Sequence, residues 1–396
     1  MATHNSLKIV EVYQVVPLPN SQDTTTPKSL PLTFFDILWL RLAPVQRVFF
    51  YETSISITTF LDSILPKLKH SLSLTLQHFL PLAGTLVWPP ESKPIINYKE
   101  GDAVSFTVAE SNANFYNLSG NNFVQAVEYH PLVPDLATFH ERAKVLALQV
   151  TMFPNYGLCI GITAHHAVLD GQSSTMFMKS WAHLCKLGGN ALSLVPELIP
   201  SFDRMVIKDP AGLEANFLNQ WLNHDGPHNK SLKVWELTTP PDLVRDARPR
   251  LEPPMPASYF GNCVTGHLAV ADRNDLLGEK GLAVAIKAIT EAIGSLDYGV
   301  LIRDAENCLS LLLTLKEGQV AQRIAGIAGS PRFELYNTDF GWGKPTKVEM
   351  ISIDKTGAIS VSESRDDAGG IQIGLVLKKH EMEVFASVFA KGLEVL

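Results

Sequence analysis

The segment from Val145 to Leu187 constrains this chain more than any other. Val145–Met152 is an apolar run of strand length, and Leu158–Ala164 is a second. Pro154, Asn155, Tyr156 and Gly157 between them carry turn chemistry, so the two runs read as a hairpin. His165-His166-Ala167-Val168-Leu169-Asp170-Gly171 follows with no spacer. Gln172–Leu187 then has helical length and is stopped by Gly188 and Gly189. The chain must therefore turn from a strand into a helix with two histidines at the strand end. Neighbouring side chains on a strand point to opposite faces, so one histidine at most can face a given cleft. Asp170 and Gly171 supply a turn and a helix N-cap.

The rest of the chain reads as alternating strands and helices. Leu7–Val16 is a strand, Leu30–Leu40 a dense apolar stretch, and Val48–Tyr51 a short apolar run. Thr58–Phe79 has helical periodicity, ended or kinked by Pro81. Thr238–Pro256 holds six prolines and reads as a linker that excludes a helix or a central strand. Beyond it, Ala283–Ile293 is expected to be helical and Phe333–Tyr336 to begin a strand. Val348–Ile353 and Ala358–Ser362 are expected to pair as a hairpin across Asp354–Gly357, with a strand at Ile371–Leu377. Lys379–Leu396 is expected to close the chain as a helix with Met382, Phe385, Phe389 and Leu393 on one face.

At 396 residues the chain exceeds one ordinary core, and two domains are expected. With 46% apolar and 18% charged residues it has a core-forming composition. A net charge of -7 with no basic, aromatic-laced stripe argues against nucleic-acid binding. No apolar run reaches spanning length and no secretory signal opens the chain, so a cytosolic protein with no membrane partner is expected. The cysteines at 159, 185, 263 and 308 form no CxxC pair, which fits reduced thiols.

His166 has the reference pKa for proton transfer near neutrality. An isolated His-xxx-Asp has other readings: a packed core group, or half of a zinc site. A zinc site needs at least three protein ligands, and no HExxH or cysteine pair completes one. No GxSxG elbow supports serine-hydrolase chemistry. A second signal is Asp339-Phe340-Gly341-Trp342-Gly343, where two glycines permit an unusual turn around a large ring. Alone it reads as a structural loop.

Taken together, His166-xxx-Asp170-Gly171 and the 339–343 motif, in this order and separation, resemble the BAHD acyltransferases. That family moves acyl groups from coenzyme A (CoA) thioesters to plant metabolites. HxxxD alone is shared with chloramphenicol acetyltransferases and peptide-synthetase condensation domains, but the pair is far more specific. LPLTFFDILWL (30–40), PVQRVFFYE (44–52), LPLAGTL (80–86) and SLKVWEL (231–237) also look like family blocks, so the resemblance covers nearly the whole chain. Tyr259-Phe260-Gly261-Asn262-Cys263 is similar to a motif of the subgroup that malonylates anthocyanins and other phenolic glucosides.

The resemblance implies an α/β fold of two chloramphenicol-acetyltransferase-like domains, each a mixed sheet with flanking helices, and a channel between them. The expected division is 1–190, carrying HxxxD; 191–256, a crossover and linker; and 257–396, carrying DFGWG. It implies that His166 takes a proton from an acceptor hydroxyl, while Asp170 pairs with an arginine, Arg248 first and Arg250 second, to aim the loop. The motif Asp339, Phe340, Gly341, Trp342 and Gly343, with Gly171, is implied to be structural. Tyr259, Gly261 and Asn262 are implied to lie beside the channel and CoA. Lys179, Trp181 and Lys233 are weaker candidates for meeting CoA phosphates. The implied cosubstrate is malonyl-CoA, with no bound cofactor and no metal, and the acceptor is a flavonoid or anthocyanin glucoside. A monomer is expected. The alternatives are a relative using acetyl-CoA or a hydroxycinnamoyl-CoA, and an inactive variant that only binds.

One departure stands out. Between Val244 and Arg248 the chain passes directly from the linker block to the arginine block. Family members carry several dozen residues there: a strand, two helices and the strand leading into the arginine. None is recognisable here, so the second domain is expected to be incomplete and to expose apolar surface.

Overall fold

The computed structural model describes residues 7–19, 26–89, 92–137, 141–188, 194–225, 243–267, 269–294 and 326–394. Lys233, Cys308 and the 231–237 block lie outside them. The strands run β1 (Leu7–Val15), β2 (Ser29–Pro31), β3 (Val45–Glu52), β4 (Thr85–Val87), β5 (Ile95–Asn97), β6 (Val104–Ser111), β7 (Arg142–Lys144) and β8 (Leu146–Phe153). They continue as β9 (Gly157–Ala164), β10 (Leu243–Asp246), β11 (Val264–His267), β12 (Ile327–Ser330), β13 (Lys347–Met350), β14 (Ile359–Glu363) and β15 (Ile371–Gly374). The helices used below are α1 (Phe34–Ile37), α2 (Leu65–His78), α3 (Gly171–Lys186), α4 (Gly281–Gly294) and α5 (Lys379–Glu394).

A six-stranded mixed sheet, ordered β1-β6-β8-β9-β3-β13, carries the first half of the chain. Every residue of β8 and β9 is buried, which is why both read as unbroken apolar runs rather than alternating ones. They pair antiparallel, Leu146 opposite Ala164. Helix α3 covers one face and meets α2, where Trp181 Nε1 donates to Leu68 O at 3.2 Å. A five-stranded mixed sheet, β11-β10-β12-β14-β15, forms from the second half, and a four-stranded sheet, β2-β5-β4-β7, flanks the first. Two mixed sheets with covering helices are what the resemblance implies.

Four expectations about the second half need correction. Residues 348–353 and 358–362 do not form a hairpin. Ile351 N donates to Gln46 O and Ile359 N to Gly326 O, so the two flanks are bonded into different sheets. A helical turn at Ile353–Thr356, closed by Gly357 at φ 67°, separates them. Phe333–Tyr336 is not a strand either. The strand lies earlier, at β12, and Pro331 with left-handed Glu334 (φ 52°) ends extended backbone before it can reach that segment. The proline cluster does not exclude a central strand, because β10 occupies the proline-free stretch between Pro241 and Pro249 and pairs with β11 and β12. That same strand leads into Arg248, so one piece expected to be lost is present.

Helix α5 begins at Lys379 as expected and runs to Glu394, the last described residue, yet none of its residues is buried. Phe385, Phe389 and Leu393 are 43%, 57% and 56% exposed, so its apolar face has no cover among the described residues.

Candidate active site

β9 ends at Ala164, and the next two residues part company. His165 turns inward: its side chain is fully buried and its Nδ1 accepts from Ala167 N at 3.2 Å. Burial, reinforced by the neighbouring His166, pushes its pKa down to about 4, so it is a neutral packing group at pH 7. His166 is half-buried and faces a cavity of about 530 Å³. Its ring stacks on Trp39, with centroids 4.3 Å apart and planes within 7°. Asn262 Nδ2 donates to its backbone carbonyl at 2.9 Å. Burial holds its pKa below the ordinary value, opposed by its own carbonyl and by Asp170. A neutral imidazole at the cavity wall is the form that can accept a proton.

Asp170 borders the cavity, but both of its oxygens are engaged by protein donors. Its Oδ1 caps α3 by accepting from Ser173 N at 2.8 Å. Its Oδ2 accepts from Arg248 Nη1 at 2.8 Å and Cys263 N at 3.1 Å. Arg248, 2% exposed, also donates to Asp246 Oδ1 and to the carbonyls of Tyr259 and Gly261. This ion pair ties the histidine loop of the first sheet to the chain that follows β10 in the second. Arg250 instead donates to Asp246 O at 2.8 Å.

Asn262 is held by a carboxylate that sequence reasoning passed over. Asp36, fully buried in α1, accepts from Asn262 N at 2.9 Å and from Asn262 Nδ2 at 3.2 Å. Its other oxygen accepts from Thr33 N and Thr33 Oγ1. Arg204 donates to Tyr259 Oη and, at 2.8 Å, to Phe260 O. Gly261, at φ 140°, passes so close to Arg204 that a Cβ would lie 2.1 Å from its Nη1. Tyr259 and Asn262 are therefore buried framing for the His166 loop, not lining of the cavity. The signal for Asp36 was present in LPLTFFDILWL, because a charge inside an apolar run must find partners.

The 339–343 motif packs away from the cavity. Phe340 is fully buried among Tyr51, Trp181 and Trp342. Asp339 Oδ1 accepts from Gly341 N and Gly343 N at 2.8 and 2.9 Å, and Lys186 pairs with its Oδ2. Both glycines take positive φ, 109° and 102°, which lets the loop close around one carboxylate. Of the weaker candidates, Lys179 pairs with Glu334 at 3.1 Å and Trp181 lies in the core. Gly171 does line the cavity, at the start of α3 against the Phe333 ring.

The cavity wall draws on both large sheets: Trp39, Arg47 and His166 from the first half, and Val264, Ile327 and Phe333 from the second. Two mixed sheets meeting at a histidine-bearing strand end give a chloramphenicol-acetyltransferase-like fold. The fold is similar to that of vinorine synthase, at TM-score 0.64 and 18% identity over 96% of both chains. It is also similar to F. sporotrichioides TRI101 complexed with coenzyme A and T-2, at TM-score 0.62 and 15% identity over 90% of this chain and 96% of that one.

The sequence profile described as "Transferase family" matches residues 7–220 and 236–391, and this chain belongs to that family, the BAHD acyltransferases. It is 38% identical to phenolic glucoside malonyltransferase 1 of Arabidopsis thaliana, over 98% of both chains. It is also 38% identical to malonyl-CoA:anthocyanidin 5-O-glucoside-6''-O-malonyltransferase of Arabidopsis thaliana, over 99% of both. Agmatine coumaroyltransferase of the same plant is 34% identical over 98% of this chain and 99% of its own. The first alignment spans 470 positions, whereas 98% of 396 residues is about 388, so about 80 positions face a gap in this chain.

Proposed function

We propose that this chain transfers a malonyl group from malonyl-CoA to a sugar hydroxyl of a phenolic glucoside, with His166 as the general base. One observation carries the chemistry: a neutral imidazole, stacked on Trp39, opens onto a cavity walled by both sheets. His166 takes the proton of the acceptor hydroxyl as its oxygen bonds to the thioester carbonyl carbon. The tetrahedral oxyanion collapses, the carbon–sulfur bond breaks, and the proton returns to the CoA thiolate. Base assistance of this kind is worth about 10²–10⁴-fold, and positioning and oxyanion stabilisation supply the rest. Asp170 acts through Arg248 as an anchor of the loop. The malonyl donor and the glucoside acceptor are supported by the names of the 38%-identical relatives.

On this reading the enzyme works in the cytosol as a monomer, with residues 1–190 and 257–396 as its two working domains. A coumaroyl-type donor is the second reading, favoured by the 34%-identical agmatine coumaroyltransferase. A binding-only protein is the third, favoured by the alignment gap and the bare face of α5.

The test offers malonyl-, acetyl- and coumaroyl-CoA with a panel of phenolic glucosides, read by mass spectrometry. The expected product is a malonylated glucoside, and His166→Ala is expected to lower kcat by about 10²–10⁴-fold while CoA still binds. With its pKa below 6.5, His166 is neutral at pH 7 and protonates only in acid. So kcat/KM is expected to be flat above pH 7 and to fall on the acid side. Equal turnover by His166→Ala would sink the mechanism.

A further inference from the structure

The cavity contains a second unusual group. Arg47, on β3, is 3% exposed and lines the same cavity as His166. Val45 and Arg47 both reach the cavity, while Gln46 and Val48 between and beyond them do not, as alternation along a strand requires. Its neighbours in the sheet are Ile162 on β9 and Met350 on β13, so the guanidinium rises from an apolar floor.

Among the described residues, no side chain or carbonyl engages that guanidinium by hydrogen bond or ion pair. The other deeply buried arginines differ. Arg248 is bonded to Asp170, Asp246 and two carbonyls, and Arg41 donates to Trp221 O at 3.0 Å. Burying an unpaired charge costs several kcal/mol, so proteins rarely leave one without a use. Burial lowers the Arg47 pKa to about 10, with the charge of Glu363 opposing, so the group remains cationic at pH 7. The lining as a whole is basic, with four arginines (47, 248, 250, 332) against two aspartates (170, 246). Of the four, Arg332 lies exposed at the edge, whereas Arg47 lies deep.

We propose that Arg47 is the donor-selecting residue of this site, pairing its guanidinium with the free carboxylate of a dicarboxylic acyl-CoA such as malonyl-CoA. This rests on the reading that the cavity takes an acyl-CoA beside His166. A guanidinium and a carboxylate form two parallel hydrogen bonds, and a methyl or aryl acyl end offers neither. A deep site suits the short acyl end of the donor better than its bulky phosphorylated end.

The test measures equilibrium binding of malonyl-CoA and acetyl-CoA by calorimetry, to the full chain and to Arg47→Gln, Arg47→Lys and His166→Ala. Transfer of both acyl groups is followed in parallel. The unmodified chain is expected to bind malonyl-CoA more tightly. Arg47→Gln is expected to cut that preference by on the order of 10²-fold, the loss of a charged pair, while acetyl-CoA binding stays within a few-fold. Arg47→Lys is expected to keep part of the preference, which separates charge recognition from folding. His166→Ala is expected to keep all of it, so a failed base mechanism leaves this result standing. No malonyl preference in the unmodified chain overturns the proposal. So does a preference that survives Arg47→Gln, or an equal loss for both donors in Arg47→Gln and Arg47→Lys.

Discussion

Arg248 and Asp170 form a buried ion pair whose worth lies in what happens when half is removed. Both are 2–3% exposed, and a buried charge that loses its partner costs about 3–5 kcal/mol. Arg248→Met is therefore expected to lower the stability of the chain by that order and to abolish transfer, because the His166 loop loses its anchor. Asp170→Asn combined with Arg248→Met is expected to recover part of the stability, since no charge is then left alone. Urea unfolding of the two single variants and the double variant checks this. Simple additivity would show that the pair is not the anchor. At this scale the sequence was informative for His166, Asp170 and Arg248, because their motif spacing is tied to chemistry. Asp36, Trp39 and Arg47 were visible only as members of apolar blocks. Nothing along the chain says that Asp36 meets Asn262 across 226 positions, since such contacts are made by tertiary packing alone.

Among elements, the 339–343 loop and β13 are the ones that stitch the halves together. β13 belongs by sequence to the second half yet pairs with β3 of the first sheet, Lys347 opposite Phe50. The loop just before it wedges Phe340 between Trp181 of α3 and Tyr51 of β3. Phe340→Ala is expected to cost about 3–5 kcal/mol, as for a large ring removed from a core. The folded fraction is expected to keep its KM for donor, because the loop lines no part of the cavity. A thermal melt beside steady-state kinetics checks both; a raised KM with an unchanged melt would move the motif into the binding site. Strands β8 and β9 and helix α3 were legible because each carries its own period and stop signals. The destination of β13 was not, because a strand's partner depends on which edge is free.

Across the whole molecule, the bare apolar faces of α4 and α5 are expected to follow from the shortened second half. Leu282 and Ile286 on α4, and Val384, Val388 and Phe389 on α5, are each more than half exposed. Surface of this kind is covered in a complete fold or binds what it meets. Inserting a family-length segment ahead of β10, so that the strand into Arg248 stays whole, is expected to lower binding of an apolar dye several-fold and to raise the thermal midpoint. An insertion that changes neither would show that the gap is not the cause of the bare faces.

The order of residues alone determined that the chain is an α/β protein with a histidine at a strand end and a capped helix after it. Those properties are local: periodicity, turn residues and a cap act within a dozen positions. Which histidine faces the cavity, which strand β13 joins, and that the Arg47 guanidinium has no hydrogen-bond or ion-pair partner among the described residues were decided only when the sheets packed. Burial and charge pairing are set by neighbours distant in sequence, so they exist only in the folded molecule.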